Sequence, residues 1–211
     1  FIKRMTSFVQ LPLFTIEYHV KAMDFDDTLT FVCEHIGDVK NYCNPNDPRV
    51  AGESFQHLVP VSASVESGVS YIVTDTSKSK LTVCTAVKNT VSKPAEEYTY
   101  TEGHKTVTEL TTGISKDETV TLVKYVIFTD SIRHKDCKAA AADEMKKALE
   151  VPMSEHYSRQ KAYLEHFWNQ SALEIKGDDD LAIATKYNIY QLLQSVGKDE
   201  YSNIAAKGLS G

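Results

Sequence analysis

Thr119-Val120-Thr121-Leu122-Val123-Lys124-Tyr125-Val126-Ile127-Phe128 is the run on which the fold turns. β-branched and aromatic residues dominate it, and from Leu122 onward apolar side chains occupy both alternating faces, the pattern of a strand covered on both sides. It is expected to lie centrally in a sheet. On its N-terminal side, short runs rich in Val, Thr, Tyr and Ile are separated by Gly, Asn, Asp, Pro and Ser, and read as further strands. They fall near Thr15 to Ala22, Thr28 to Glu34, Gln56 to Glu66, Val69 to Thr74, Lys80 to Lys88, Tyr98 to His104 and Thr106 to Thr111. In the first of these, Ile16, Tyr18, Val20 and Ala22 oppose Glu17, His19 and Lys21, which predicts one solvated face. Asp24-Phe25-Asp26-Asp27 is expected to be a hairpin turn, with Leu29, Phe31 and Cys33 inward on the returning strand. Asn41 to Gly52 holds too many turn formers for a strand and reads as a long loop joining two sheets.

Composition changes after Ser131. Lys138 to Glu150 is a run of strong helix formers in which Asp143 and Lys147 are spaced for an i,i+4 pair, and Pro152 ends it. A second helix is expected from an N-cap at Ser154 to about Asn169, with Tyr157, Leu164, Phe167 and Trp168 as its apolar stripe. A third begins at Asp178-Asp179-Asp180, whose carboxylates suit the positive end of a helix dipole, and runs from Leu181 to Val196 before Gly197 as C-cap. Leu181, Ile183, Ala184, Tyr187, Ile189, Tyr190, Leu192, Leu193 and Val196 surround most of that helix, which therefore needs cover on several sides.

The 211 residues are 42% hydrophobic and 25% charged, enough for a real core, and the formal net charge of −6 argues against a phosphate-backbone binder. Nucleic acid is not an expected partner, and no apolar run approaches the ~20 residues of a membrane-spanning helix. Cys33, Cys43, Cys84 and Cys137 form no C-x-x-C pair and read as free thiols of a reducing compartment. The seven histidines form no H-x-x-x-H pair, and Asp24, Asp26 and Asp27 lack the glycine and glutamate of a calcium loop, so no metal site is expected. Phosphate-binding glycine loops and G-x-S-x-G elbows are missing. Glu155 and Glu165 sit on a solvated helix face, the aspartates at 178 to 180 have a capping role, and Asn169-Gln170-Ser171 matches a glycosylation sequon by accident of helix composition. Read from residues alone, the chain offers architecture and no catalytic residue.

A family resemblance enters from Tyr163 onward. Tyr163-Leu164-Glu165-His166-Phe167-Trp168-Asn169, then Leu173-Glu174-Ile175-Lys176-Gly177-Asp178, then Lys186-Tyr187-Asn188-Ile189-Tyr190-Gln191-Leu192-Leu193-Gln194-Ser195, and finally Ile204-Ala205-Ala206-Lys207-Gly208-Leu209-Ser210-Gly211 follow one another. This succession resembles the junction of sandwich and barrel in the glycoside hydrolase family 65 phosphorylases, the maltose, trehalose and kojibiose phosphorylase group. Asp47-Pro48-Arg49 and the threonine-rich strands are similar to the family's N-terminal domain. The clear match covers the last quarter of the chain.

The resemblance implies a mainly β fold with α: an antiparallel β-sandwich, supersandwich-like, then linker helices, then the first helix of an (α/α)6 barrel. The implied domains are 1 to 131 for an incomplete sandwich, 132 to 177 for the helical linker and 178 to 211 for the start of the catalytic barrel. It further implies an inverting disaccharide phosphorylase of carbohydrate metabolism. Phosphate attacks the anomeric carbon of an α-glucoside while a carboxylic acid protonates the leaving oxygen, giving β-glucose 1-phosphate; no cofactor is needed. In the family that acid follows the segment ending at Gly211, so this chain is expected to be a non-catalytic portion of an enzyme. Lys207 and Gly208 are the candidate substrate-binding residues, at the rim of the barrel. The implied partners are a disaccharide and inorganic phosphate, with homodimerisation open, and the implied location is cytoplasmic. Phe1-Ile2-Lys3-Arg4-Met5 and the final glycine lack the look of finished termini, and a piece of a longer protein is expected. Three other readings remain open: a stand-alone carbohydrate-binding sandwich, which would need exposed aromatics along one sheet face where Tyr98 and Tyr100 are the only i,i+2 pair in the strand region, a trehalase-like family 65 hydrolase, and a structural interaction domain.

Overall fold

The computed structural model describes residues 1–47, 55–171 and 173–204. Among them nine strands and three helices form two compact units, Phe1–Pro152 and Met153–Gly211.

The first unit holds β1 (Ile2–Thr6), β2 (Leu13–Lys21), β3 (Asp27–Ile36), β4 (Leu58–Glu66), β5 (Val69–Thr76), β6 (Thr82–Val91), β7 (Glu96–Glu102), β8 (Lys105–Ile114), β9 (Thr119–Asp130) and α1 (Cys137–Leu149). A six-stranded antiparallel sheet has the order β1-β2-β9-β6-β5-β4, and a three-stranded one the order β3-β8-β7. β9 is central, as its apolar pattern predicts, pairing with β2 from Leu13–Ile127 to Lys21–Thr119 and with β6 from Val83–Asp130 to Val91–Leu122. Its two faces enter different cores. Val120 and Leu122 join Ala22, Phe31, Cys33, Leu110 and Ile114 between the sheets. Ile127, fully buried, lies on the opposite face with Cys84 and Ala86, the side on which α1 packs against β6 and β9 through Ala141, Met145 and Ala148. Burial of Met145 alone, at 1% exposure, is worth about 1.5–3 kcal/mol.

α1 is set by its start. The Asp136 carboxylate caps it by accepting from the Ala139 N–H at 2.9 Å, and the Thr129 hydroxyl donates to the Cys137 carbonyl at 2.7 Å. The Lys138 ammonium reaches Ser64 and Glu66 and lies 5.3 Å from the centre of the Tyr71 ring, tying the helix to β4 and β5. Lys147 pairs with Glu144 at 2.6 Å, three residues away, rather than with Asp143 as the i,i+4 spacing suggests.

Two strand-level expectations are corrected. Asp24 to Asp27 is no hairpin turn: β2 and β3 belong to different sheets, so the segment carries the chain from one layer to the other. Nor is the polar face of β2 solvated. Leu13, Thr15 and Glu17 are buried, at 1%, 0% and 8% exposure, because they share the large sheet's face with Tyr125 and Ile127, while Val20 and Ala22 pack into the core between the sheets on the other face. β1 is an additional edge strand that charge at Lys3 and Arg4 hides from a hydrophobicity pattern. The loop after β3 does join the two sheets, its base closed by the Asn41 N–H donating to the Phe55 carbonyl at 3.0 Å. β4 forms the outer edge of the large sheet and carries a register break between Pro60 and Ser62.

The second unit contains α2 (Met153–Ser171) and α3 (Asp179–Ser195). Ser154 lies inside α2, where its carbonyl accepts from the Ser158 hydroxyl, and is therefore no N-cap. Asp178 does cap α3, accepting from the Leu181 N–H at 2.9 Å. At the other end Val196, in extended conformation, is the C-cap in place of Gly197. Gly197 has a different reason to be glycine: a Cβ there would lie 2.5 Å from the Ser202 Cβ.

Candidate functional site

Lys207 and Gly208, the substrate-binding candidates, lie outside the described residues, as do Pro48 and Arg49 of the Asp-Pro-Arg motif. The carboxylates set aside on sequence grounds have structural partners. Glu155 pairs with Arg159 at 2.7 Å and Glu165 with Lys161 at 3.6 Å, while the Asp26 carboxylate accepts from the Lys116 N–H at 2.8 Å. Among the described residues no group of three or more His, Cys, Asp or Glu could hold a metal ion, and no helix is long and apolar enough to cross a membrane.

Two hollows remain. In the second unit a concavity of about 810 Å³ opens where the end of α2 meets α3. Its lining includes Trp168, Leu173, Ile175, Ala182 and Lys186. All of these but Ala182 belong to the segments that carry the family resemblance, so the motif converges in space as well as in order. Trp168 is half-buried there, its indole edge-on to Phe167 at 5.2 Å between ring centres. Asn169, Glu174 and Lys186 add polar groups to the apolar lining, and Glu174 is engaged by Lys176 at 3.7 Å. Among the described lining residues Glu174 is the one carboxylate.

In the first unit a cleft of about 410 Å³ lies between the sheets, with Phe14, Ile72, Val126 and Phe128 among its walls and His35 at its base. His35 is on the same parity of β3 as Phe31 and Cys33, so its ring must point inward. It crosses between the layers: Nδ1 lies 2.8 Å from the Ser70 hydroxyl of β5 and Nε2 3.0 Å from the Thr85 hydroxyl of β6. Burial, reinforced by the nearby Lys124 ammonium, pushes its pKa down from 6.5 to about 4, so the ring is neutral. A neutral imidazole with both nitrogens occupied has no free function to offer a ligand, and the cleft reads as architecture. Gly37, next along, lets β3 pass close to β5: a Cβ there would lie 2.6 Å from the Ile72 side chain and 3.1 Å from the His104 carbonyl.

The thiols follow the same rule. Cys33, Cys84 and Cys137 are free and buried, and burial raises the pKa of each, that of Cys84 to about 12, which makes them unreactive packing groups.

Comparison with known proteins shows which family carries this fold. The model of the glycosyl hydrolase family 65 N-terminal domain matches residues 2–167. The chain belongs to glycosyl hydrolase family 65. It is 35% identical over 99% of its length to an α,α-trehalose phosphorylase of Geobacillus stearothermophilus and 31% identical over 100% to that of Thermoanaerobacter brockii. It spans only 27% and 28% of those two proteins. A solved structure described as a kojibiose phosphorylase from the human microbiome superposes with a TM-score of 0.79 at 14% identity, covering 100% of this chain and 27% of that one. At that identity the likeness speaks for the fold, which is the family's antiparallel sandwich followed by helices.

Proposed function

We propose that residues 1–211 are the non-catalytic, N-terminal part of an inverting disaccharide phosphorylase, in which phosphate displaces the leaving sugar of an α-glucoside to give β-glucose 1-phosphate. The observation that carries this reading is the 35% identity, along nearly the whole chain, to an α,α-trehalose phosphorylase. Trehalose is accordingly the first substrate to test. Relatives described as uncharacterised glycosyl hydrolases, from Mycobacterium, are only 24% identical, which favours phosphate over water as the acceptor. The acid that protonates the leaving oxygen belongs to chain beyond Gly211, in keeping with the structural partners found for Glu155, Glu165 and Asp178.

On this reading the segment from Asp178 begins a helical barrel, the stretch from 132 to 177 links it to the sandwich, and Lys207 and Gly208 approach the sugar. The apolar side chains that α3 leaves exposed support the barrel assignment: Leu181, Ile183, Tyr187 and Leu192 are between 51% and 67% exposed. The proposed partners are a disaccharide and inorganic phosphate, and the proposed location is the cytoplasm, where free thiols persist. The test is phosphate-dependent release of glucose 1-phosphate from trehalose, maltose and kojibiose. Activity is expected from the protein that contains these residues together with the family's barrel, and none from residues 1–211. Turnover by the 211-residue chain that a single carboxylate substitution abolishes would overturn the proposal.

A further inference from the structure

The three-stranded sheet has an outer face that no core requires. Phe31, Cys33 and Leu110 point inward to the cluster between the sheets, so by strand alternation their neighbours point out. The register aligns Val32 with Glu109 and Tyr98, and Glu34 with Val107 and Tyr100. Tyr98 and Tyr100 are 63% and 37% exposed, yet their ring centres are 5.6 Å apart with the planes inclined by 38°. Val107, on the same outer face, is only 2% exposed. It lies between Glu34 and Tyr100, its cross-strand partners on either side.

Charge surrounds the rings. Glu109 is paired directly with Tyr98 across the sheet, and beside Tyr100 the Lys105 ammonium lies 3.1 Å from Glu34 and 3.9 Å from Glu102. Lys105 is thus already committed to carboxylates. With Glu34, Glu102 and Glu109 against one lysine, the face is anionic and rich in hydrogen-bond acceptors.

We propose that Tyr98 and Tyr100, with Glu109 and the Glu34–Lys105 pair, form a surface site for a neutral α-gluco-oligosaccharide. The choice of sugar rests on the glucoside reading given above. Two adjacent exposed rings suit a flat ligand with apolar C–H faces and a repeat comparable to the ring spacing, and successive pyranose units have that form. Around them, carboxylates accept hydrogen bonds from sugar hydroxyls. The same carboxylates repel phosphate, so the site takes the neutral sugar and rejects the sugar phosphate. β7 is the edge strand of its sheet, which leaves the rings open on one side to a ligand longer than two units.

The test uses the 211-residue chain and follows tyrosine ring resonances by NMR as maltotetraose is added. The signals of Tyr98 and Tyr100 are expected to shift saturably, and Tyr98→Ala and Tyr100→Ala are each expected to weaken binding by about tenfold or more. Both side chains are exposed, and unchanged methyl signals of Leu110 and Ile114, on the inner face, confirm that the variants keep the sheet. Glucose 1-phosphate at low salt is expected to leave the tyrosine signals unmoved. Signals that do not respond to maltotetraose, alanine variants that bind as well as the parent, or equal binding of glucose 1-phosphate would each overturn the proposal. So would tyrosine signals that move with protein concentration alone, which would mark the face as a contact between copies. Phosphorolysis by the longer protein without binding here overturns the surface site and leaves the proposed function standing; binding here without phosphorolysis does the reverse.

Discussion

The His35 bridge makes a quantitative statement about acid. Its pKa is about 4 in the folded chain against 6.5 for an unhindered imidazole, so between those values the unfolded chain takes up a proton that the folded chain refuses. Stability therefore falls as pH drops from 6.5 to 4, and below that the loss is complete. A difference of about 2.5 pH units corresponds to roughly 3 kcal/mol. Burial, reinforced by the Lys124 ammonium, explains why the folded state resists. The Ser70 and Thr85 hydroxyls have second, long contacts of 3.5 and 3.4 Å to the carbonyls of Val87 and Ile72. A neutral ring accepts from one hydroxyl, which then gives up its long carbonyl contact, and donates to the other; a charged ring would donate to both, and what disfavours it is desolvation and the Lys124 ammonium. The assay is urea unfolding at pH 7 and pH 4 for the parent and for His35→Gln, which keeps hydrogen-bonding capacity without titrating. Carboxylate effects are common to both proteins and cancel. The parent is expected to lose about 3 kcal/mol more than the variant across that interval. Equal losses, or an NMR titration of His35 with a midpoint above pH 6, would refute the reasoning.

Other substitutions test other joints. Gly37→Ala places a methyl against Ile72 and the His104 carbonyl and should cost about 1–3 kcal/mol, read as a lower urea midpoint. Asp178→Ala removes the cap of α3 and should cost the helix about 1 kcal/mol, seen as faster hydrogen exchange at Leu181 and its neighbours. Trp168 is half-buried rather than enclosed, so Trp168→Ala should cost about 1–3 kcal/mol, at or below the lower end of values for a buried indole. As Trp168 is the one tryptophan of the chain, its emission should lie between the buried and exposed extremes, and a fully water-like maximum would contradict the packing. Met145→Ala should cost about 2–5 kcal/mol by opening the layer between α1 and the large sheet, measured by the same urea titration.

Strand and helix positions were largely readable from the chain, and so was the central place of β9, because a strand covered on both faces shows apolar residues on both. Alternation reports which side chains share a face and says nothing of which strand lies alongside. That is why Asp24 to Asp27 read as a hairpin, and why one face of β2 was expected to be solvated when Thr15 and Glu17 are buried on it and Val20 and Ala22 pack into the core between the sheets on the other. β1 escaped because five residues with two charges carry no period. The His35 bridge had a signal, its parity with Phe31 and Cys33, but its hydroxyl partners on β5 and β6 come from a fold that only the assembled sheets reveal. The candidate site shows the same division: the convergence of Trp168, Ile175 and Lys186 was implicit in a motif whose spatial meaning order alone does not supply.

The register break between Pro60 and Ser62 on β4 bears on how the protein behaves in company. A sheet ending in a straight strand invites another strand to continue it, and Pro60 has no N–H to offer such a newcomer while the bulge bends the remaining donors out of line. Growth of the six-stranded sheet is blocked on that side by covalent structure rather than by charge, so high salt cannot relieve it. Pro60→Thr should leave the sandwich folded and turn that edge into a seam along which concentrated samples stick together.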